Sequence, residues 1–226
     1  VRAAPARTVG QEHREKRYVS RVILVRHGQT ALQAAGRYSG QRDTPLTPLG
    51  ERQHELLRAR LLREAIGRVV GSDLARCRVL AEAVAADHGL EAEPEPALRE
   101  AAFGSWEGLT YGEAMAQDRQ AMVAFNRDTV HVAPPGGESL AALAARAIPL
   151  LDACVRAHKQ REGALLLVGH GGTLQALLCH LLAVPLARHW TMRVDNAALS
   201  SLDIYPMGAI IAVLNDTCHL DGASSM

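Results

Sequence analysis

Two histidines stand in nearly the same local sequence, Leu24-Val25-Arg26-His27-Gly28 and Leu167-Val168-Gly169-His170-Gly171. Each closes an apolar run, and each is followed by a glycine, which lets a bound group approach the backbone and leaves an amide exposed. A neutral imidazole can attack phosphorus, and the planar fork of arginine suits the equatorial oxygens of a phosphoryl group. Arg26 directly precedes the first histidine. Arg76 lies one turn into the helix expected after a second short strand, while Arg78, two positions on, faces elsewhere on that helix. Glu100, between Leu98-Arg99 and Ala101-Ala-Phe-Gly104, is a carboxyl in a semi-apolar setting. Such a group can protonate a leaving oxygen. Two histidines, arginines and one carboxyl therefore suit covalent phosphoryl transfer. Taken singly, each has a plainer reading: a strand-end cap, a solvated helix arginine, a loop carboxylate. The matched histidines beside Arg26 are what speak for a site. No HxH, HExxH or clustered Asp/His spacing occurs, so neither a metal site nor a cofactor is expected.

For these groups to meet, particular elements must carry them. Residues 21–26 form a near-continuous apolar run of the kind found in the middle of an α/β sheet. Residues 68–72 and 164–168 are further strands, and 198–205 with 209–214 reads as a hairpin around Pro206-Met207-Gly208. A helix is expected after Thr47, with Leu49, Leu56, Leu57, Leu61 and Leu62 on its apolar side and Gly50, Glu51, Arg52 and Arg60 outward. The next, over 74–88, would be capped by Ser72 or Asp73 and stopped at Gly89. An acidic extended segment (91–96) and short helical pieces (101–135) follow. Two more helices are expected, one from Glu138-Ser139 toward Gln160 and one over 173–182. Strand and helix alternating before a late hairpin describe a three-layer α/β/α sandwich with a mostly parallel central sheet. In such a sheet, ligands bind beyond the carboxyl ends of the strands, where both histidines would be delivered. Free amides at the start of the helix near Gly172 would favour an anion there.

The 226 residues carry 25 Lys+Arg against 24 Asp+Glu, and 48% are hydrophobic. A sizeable core is therefore available, which excludes a disordered chain. Near-zero net charge gives no reason to expect nucleic acid or an anionic membrane as partner, and no apolar run is long enough to span a bilayer. Arginine makes up 23 of the 25 basic residues. Cys77, Cys154, Cys179 and Cys218 lie far apart and read as buried thiols of a reducing, cytoplasmic compartment. Residues 1–20 lack the apolar stretch of a secretory signal and read as a disordered leader, 21–220 as one domain and 221–226 as a tail.

Leu24-Val-Arg-His-Gly-Gln-Thr30 resembles the arginine-histidine-glycine signature of the histidine phosphatase superfamily, the phosphoglycerate mutase-like family. The likeness continues through Gly36-Arg-Tyr-Ser-Gly-Gln-Arg-Asp-Thr-Pro-Leu-Thr-Pro-Leu-Gly50, Ser72-Asp-Leu-Ala-Arg76 and Leu98-Arg-Glu-Ala-Ala-Phe-Gly-Ser-Trp-Glu-Gly-Leu-Thr110. It ends with Pro135-Gly-Gly-Glu-Ser-Leu140, Val168-Gly-His-Gly-Gly172 and Val194-Asp-Asn-Ala-Ala-Leu-Ser200. The resemblance implies the phosphoglycerate mutase-like fold, with His27 as the nucleophile that becomes phosphohistidine. It makes Arg26 and Arg76 the phosphoryl clamp, His170 a further hydrogen-bonding partner, and Glu100 the proton donor and then the base for water. Thr30 and the Gly171 amide would be auxiliary phosphate contacts, and Arg37, Tyr38 and Gln41 would line the mouth. The chain departs from the family's usual pattern at Gln33 (commonly Asn), Leu80 (commonly Thr) and Gln29 (commonly Glu). At Gln33 a phosphate contact would be lost or shifted; Leu80 reads as packing.

True mutases of this fold resemble one another in a longer insert that closes the site. Here only residues 109–138 separate the two motifs, so water should reach the phosphoenzyme and hydrolysis should win over transfer. The expected activity is hydrolysis of a small phosphorylated metabolite: a sugar phosphate, a phosphoglycerate derivative or alpha-ribazole phosphate. The alternatives are a cofactor-dependent phosphoglycerate mutase and a non-catalytic phospholigand-binding module. The resemblance also favours a homodimer, and the apolar hairpin reads either as an edge for one or as core.

Overall fold

A computed structural model describes residues 20–159 and 161–221; the expected leader and tail lie outside them, apart from Ser20 and Asp221. Six strands form one sheet: β1 (Ser20–Arg26), β2 (Ile66–Gly71), β3 (Ala92–Pro94), β4 (Ala164–Gly169), β5 (Leu199–Tyr205) and β6 (Gly208–Asp216). Their order is β3-β2-β4-β1-β5-β6. The first four in that order run parallel, whereas β5 and β6 are antiparallel, as a hairpin requires. The α-helices of the described residues are α1 (Ala31–Ala34), α2 (Pro48–Leu61), α3 (Ala75–Asp87), α4 (Tyr111–Gln117), α5 (Arg119–Arg127), α6 (Leu140–His158) and α7 (Gly171–Leu181).

Side chains alternate across the central strands and sort the helices into two layers. Val22 and Leu24 of β1, with Leu165 and Leu167 of β4, pack with Leu143, Leu151, Leu174 and Leu177 of α6 and α7. Ile23, Val25, Leu166 and Val168 point the other way, to Leu57 and Leu61 of α2 and Leu80 and Val84 of α3. The architecture is thus the expected three-layer α/β/α sandwich. A separate cluster, with Trp106, Ala114 and Met122 buried against Tyr38, Phe103 and Phe125, holds the segment of short helices together. No helix among the described residues is long and apolar enough to cross a membrane.

Four local expectations are corrected. Gly50 is buried, not outward, because α2 presses against the backbone of Gln29: a Cβ there would lie 2.0 Å from the Gln29 carbonyl oxygen. Leu62, expected on the apolar side, is 55% exposed, since α2 ends at Leu61 and the chain turns away. Neither Ser72 nor Asp73 caps α3: its N-cap is Leu74, without a side-chain cap bond. Tertiary partners take both side chains, Ser72 bonding His170 and Asp73 pairing with Arg99. Cys218 is exposed, while the other three cysteines are buried and free.

Candidate active site

β1 and β4 are direct parallel neighbours, with Val25 beside Val168 and Arg26 beside Gly169. Their carboxyl ends therefore bring His27 and His170 together, with ring centroids 5.0 Å apart and the rings edge-on. Both imidazoles are fully enclosed. The His27 backbone is held by β4 and by the loop that leads into β5: its amide donates to Gly169 O (3.2 Å), and its carbonyl accepts from Ala197 N (3.1 Å) and Asn196 Nδ2 (3.1 Å).

The two rings are wired differently. The Nδ1–H of His27 donates to Gly28 O at 2.6 Å, so in the neutral ring Nε2 carries the lone pair. His170 accepts from the Nε–H of Arg76 at Nδ1 (3.2 Å), which puts its proton on Nε2, donating to Ser72 Oγ (2.9 Å). Burial first, then the guanidiniums of Arg76 and Arg26, hold His27 well below the ordinary histidine range. His170 is lowered likewise, by burial and then by His27 and the two arginines. Both are neutral at neutral pH.

Arg76, the second residue of α3, is 2% exposed. Besides His170 it donates to Arg42 O (2.9 Å) and Gly40 O (2.7 Å), so three of its five N–H groups are committed to protein. Arg26 donates to Val194 O through Nη1 (2.7 Å), but its Nε is buried with no partner among the described residues. An orphaned charged donor costs free energy unless something accepts from it. Arg78 instead faces outward to Glu82.

Glu100 is half-buried in the loop before the short helical segment. Its Oε2 accepts from Gly172 N (3.0 Å) and its Oε1 from Ala101 N (3.0 Å). One of the amides expected to face an anion at the start of α7 is thus occupied by this carboxylate. Only glycine permits that seat: a Cβ at position 172 would lie 2.6 Å from Glu100 Oε1. Behind the loop, Arg146 of α6 donates to the carbonyls of Ala97 (2.8 Å), Arg99 (2.9 Å) and Glu100 (3.0 Å) and grips both oxygens of Glu138.

The other sequence-predicted residues are placed as follows. Thr30 is buried as the N-cap of α1, where it forms a capping box with Gln33. Gln33 Oε1 accepts from Thr30 N (3.0 Å) and Asn196 Nδ2 (3.1 Å), tying α1 to the loop that holds His27. Arg37 donates to Gly108 O (2.7 Å) and is paired with Glu113. Tyr38 stacks at 4.8 Å on Phe103, and Gln41 Nε2 donates to Glu100 O (3.2 Å) and Glu138 Oε2 (3.3 Å). Gly171 opens α7 beside Arg26, a Cβ on it lying 3.4 Å from the guanidinium carbon. Sequence reasoning missed Ser72, Arg146, Asn196 and His54 as groups around the site. The signal for His54 was available: it lies four residues after Gly50 and three before Leu57, on one helical face. Among the described residues no group of three or more His, Cys, Asp or Glu side chains is placed to hold a metal ion.

A parallel sheet whose two central strands end in facing histidines, flanked by two arginines, defines the phosphoglycerate mutase-like class of α/β protein. The chain matches the histidine phosphatase superfamily (branch 1) over residues 22–217 and belongs to it. It is 34% identical over 205 residues to "Probable phosphoglycerate mutase GpmB" of Yersinia pestis (strain Pestoides F), covering 88% of this chain and 94% of that one. Among solved structures it is similar to the alpha-ribazole phosphatase of Shigella flexneri, with a TM-score of 0.80, 32% identity and coverage of 87% and 96% of the two chains. It is also similar to a mycobacterial glucosyl-3-phosphoglycerate phosphatase in complex with VO3, with a TM-score of 0.79, 31% identity and coverage of 88% and 100%. The chain takes its place in the compact phosphatase branch of the superfamily.

Proposed function

We propose that residues 21–220 form a phosphatase domain that hydrolyses a small phosphomonoester through a phosphohistidine on His27. The observation that carries this reading is a neutral nucleophile beside a waiting cation: His27 presents an unprotonated Nε2, and the buried Nε–H of Arg26 has no acceptor among the described residues. A phosphoryl oxygen would supply that acceptor. As the Nε2–P bond forms and the P–O bond breaks, the arginine forks stabilise charge on the equatorial oxygens. A proton carried in by the substrate monoanion passes through the Glu100 carboxyl to the leaving oxygen; Glu100 then takes one from the water that attacks phosphorus and breaks the P–N bond, and that proton leaves with the phosphate. Inorganic phosphate leaves, and both side chains return to their starting states. His170, with both nitrogens committed, orients Arg76 and contacts the phosphoryl group once that group competes for the same donors.

Substrate class is supported by what surrounds the mouth. Arg37, expected at the mouth, is paired with Glu113, and Tyr38, expected beside it, packs in the aromatic cluster. A sugar phosphate, a phosphoglycerate derivative and alpha-ribazole phosphate all remain candidates, in keeping with the names of the similar phosphatases. The alternative of a phosphoglycerate mutase is the name that the GpmB relatives carry, and one assay tests both readings. Phosphate release from these esters and from p-nitrophenyl phosphate, in EDTA, with His27→Ala in parallel, decides between them. Release that vanishes in the variant is the expected result. Interconversion of phosphoglycerates without net release would establish the mutase, and no turnover of any ester would leave a phospholigand-binding module.

A further inference from the structure

One buried titratable side chain beside the nucleophile has no part in that chemistry. His54 lies on the inner face of α2 with Gly50, Leu57 and Leu61 and is 8% exposed. Its Nε2 accepts the amide hydrogen of Gly28 at 2.8 Å, so this nitrogen carries no proton and the ring is neutral. The carbonyl of the same Gly28 accepts the Nδ1–H of His27. One glycine is therefore gripped at its amide by His54 and in turn grips the nucleophile at its carbonyl. The grip is tight on the helix side as well: a Cβ on Gly28 would lie 2.4 Å from Gly50 O and 3.0 Å from His54 Cδ2. The residue before His54 does the same for the next amide, with Gln53 Oε1 accepting from Gln29 N at 2.8 Å. Two successive side chains of α2 thus hold two successive amides of the loop that sets the His27 ring.

We propose that His54 is a positioning residue for His27: by accepting the Gly28 amide it fixes the His27–Gly28 peptide and, together with Gln53 on the Gln29 amide, holds the Gly28 carbonyl that keeps the His27 proton on Nδ1 and Nε2 available. This rests on His27 being the nucleophile. Without the acceptor, the Gly28 amide is buried and unsatisfied, and the peptide has reason to turn toward another partner. The ring it orients would then drift from its attacking position.

The test compares His54→Leu, which fills the space without an acceptor, with His54→Gln, whose carbonyl oxygen reaches about as far as Nε2. Nitrogen-15 NMR of the His27 ring in the substrate-free protein reports the tautomer directly. Burst labelling of His27 reports phosphoenzyme formation. The expected result for His54→Leu is a kcat lowered by about 10–100-fold, with KM little changed. His27 should shift from a pure Nδ1–H tautomer to a mixture, and His54→Gln should restore both. The proposal is overturned if His54→Leu leaves the tautomer and the burst rate as in wild type, or if Gln is as impaired as Leu with the tautomer unchanged. A wild-type His27 protonated on Nε2 also overturns it, with no variant needing to fold. Failure of the nucleophile reading shows separately, as turnover that survives His27→Ala.

Discussion

The ends of β1 and β4 are nearly the same in sequence, yet the structure makes them different devices. At the end of β1, His27 turns one nitrogen into its own loop and leaves the other unprotonated. At the end of β4, His170 has both nitrogens bound, one by Arg76 and one by Ser72. The glycines differ too: Gly28 is wedged against α2, whereas Gly171 and Gly172 begin a helix at once and make room for Arg26 and Glu100. What separates the two is the helix packed behind each. α2 offers acceptors to the first loop, and α3 offers the donor Arg76 to the second. On the proposed reading, the donor on His170 makes it an orienting group and the acceptor on Gly28 leaves His27 as the nucleophile.

The comparison breaks most visibly on deletion. His27→Ala should lower kcat by on the order of 10^5-fold and abolish phosphoenzyme labelling, whereas His170→Ala should cost about 10^2–10^3-fold and leave labelling at His27 detectable. Equal losses in a rapid-quench assay would mean that the two histidines are not divided as nucleophile and orienting group. Next in size is Glu100→Gln, expected to lower turnover of alkyl phosphates by about 10^2–10^4-fold. With p-nitrophenyl phosphate, whose leaving group needs no proton, the loss in phosphoenzyme formation should be far smaller. A loss independent of leaving group would deny Glu100 its role as acid.

The two glycines of the β4 side sharpen the contrast at finer scale. Gly172→Ala drives a methyl group to 2.6 Å from Glu100 Oε1 and should cost about 10–100-fold in kcat by displacing the carboxyl. Gly171→Ala meets the Arg26 guanidinium at an ordinary 3.4 Å, and steady-state kinetics should find it within about threefold of wild type.

The smallest effect is on stability. His27, His54 and His170 are all lowered in the fold, His54 to about 4. Above pH ~7 these histidines are neutral in both states and contribute no pH dependence. As pH falls below about 6.5 the unfolded chain binds protons that the fold refuses, so stability must fall. His54 alone accounts for roughly 3 kcal/mol by pH 4. Thermal melts should show Tm declining steadily from pH 7.5 to 5, with a shallower decline in His54→Gln. A flat profile would mean that the buried rings protonate in place.

Much of this was open to reading along the chain. The apolar run before Arg26, the expected start of α6 after Glu138-Ser139 and the turn at Pro206-Met207-Gly208 follow from near neighbours, and the structure has each of them. Ser139 caps α6 by accepting from Ala142 N, an interaction spanning three residues. Where a distant partner competes, the local rule fails. Ser72 and Asp73 are good caps by type, but His170 and Arg99 bind them first. Gly50 reads as an outward position, yet the loop after β1 lies against it and against His54 one turn further on.

The sequence by itself determined which chemical groups the site contains and that two parallel strands would deliver them to one edge. Strand periodicity and residue type are set within a few residues, so they survive reading in isolation. Only the tertiary structure decided which histidine is left with a free nitrogen, that Arg26 has a donor without a partner among the described residues while three N–H groups of Arg76 are taken, and that Gln33 is tied to Asn196. Those outcomes are competitions for hydrogen-bond partners among segments far apart in the chain. They are settled only when burial removes water as the alternative partner.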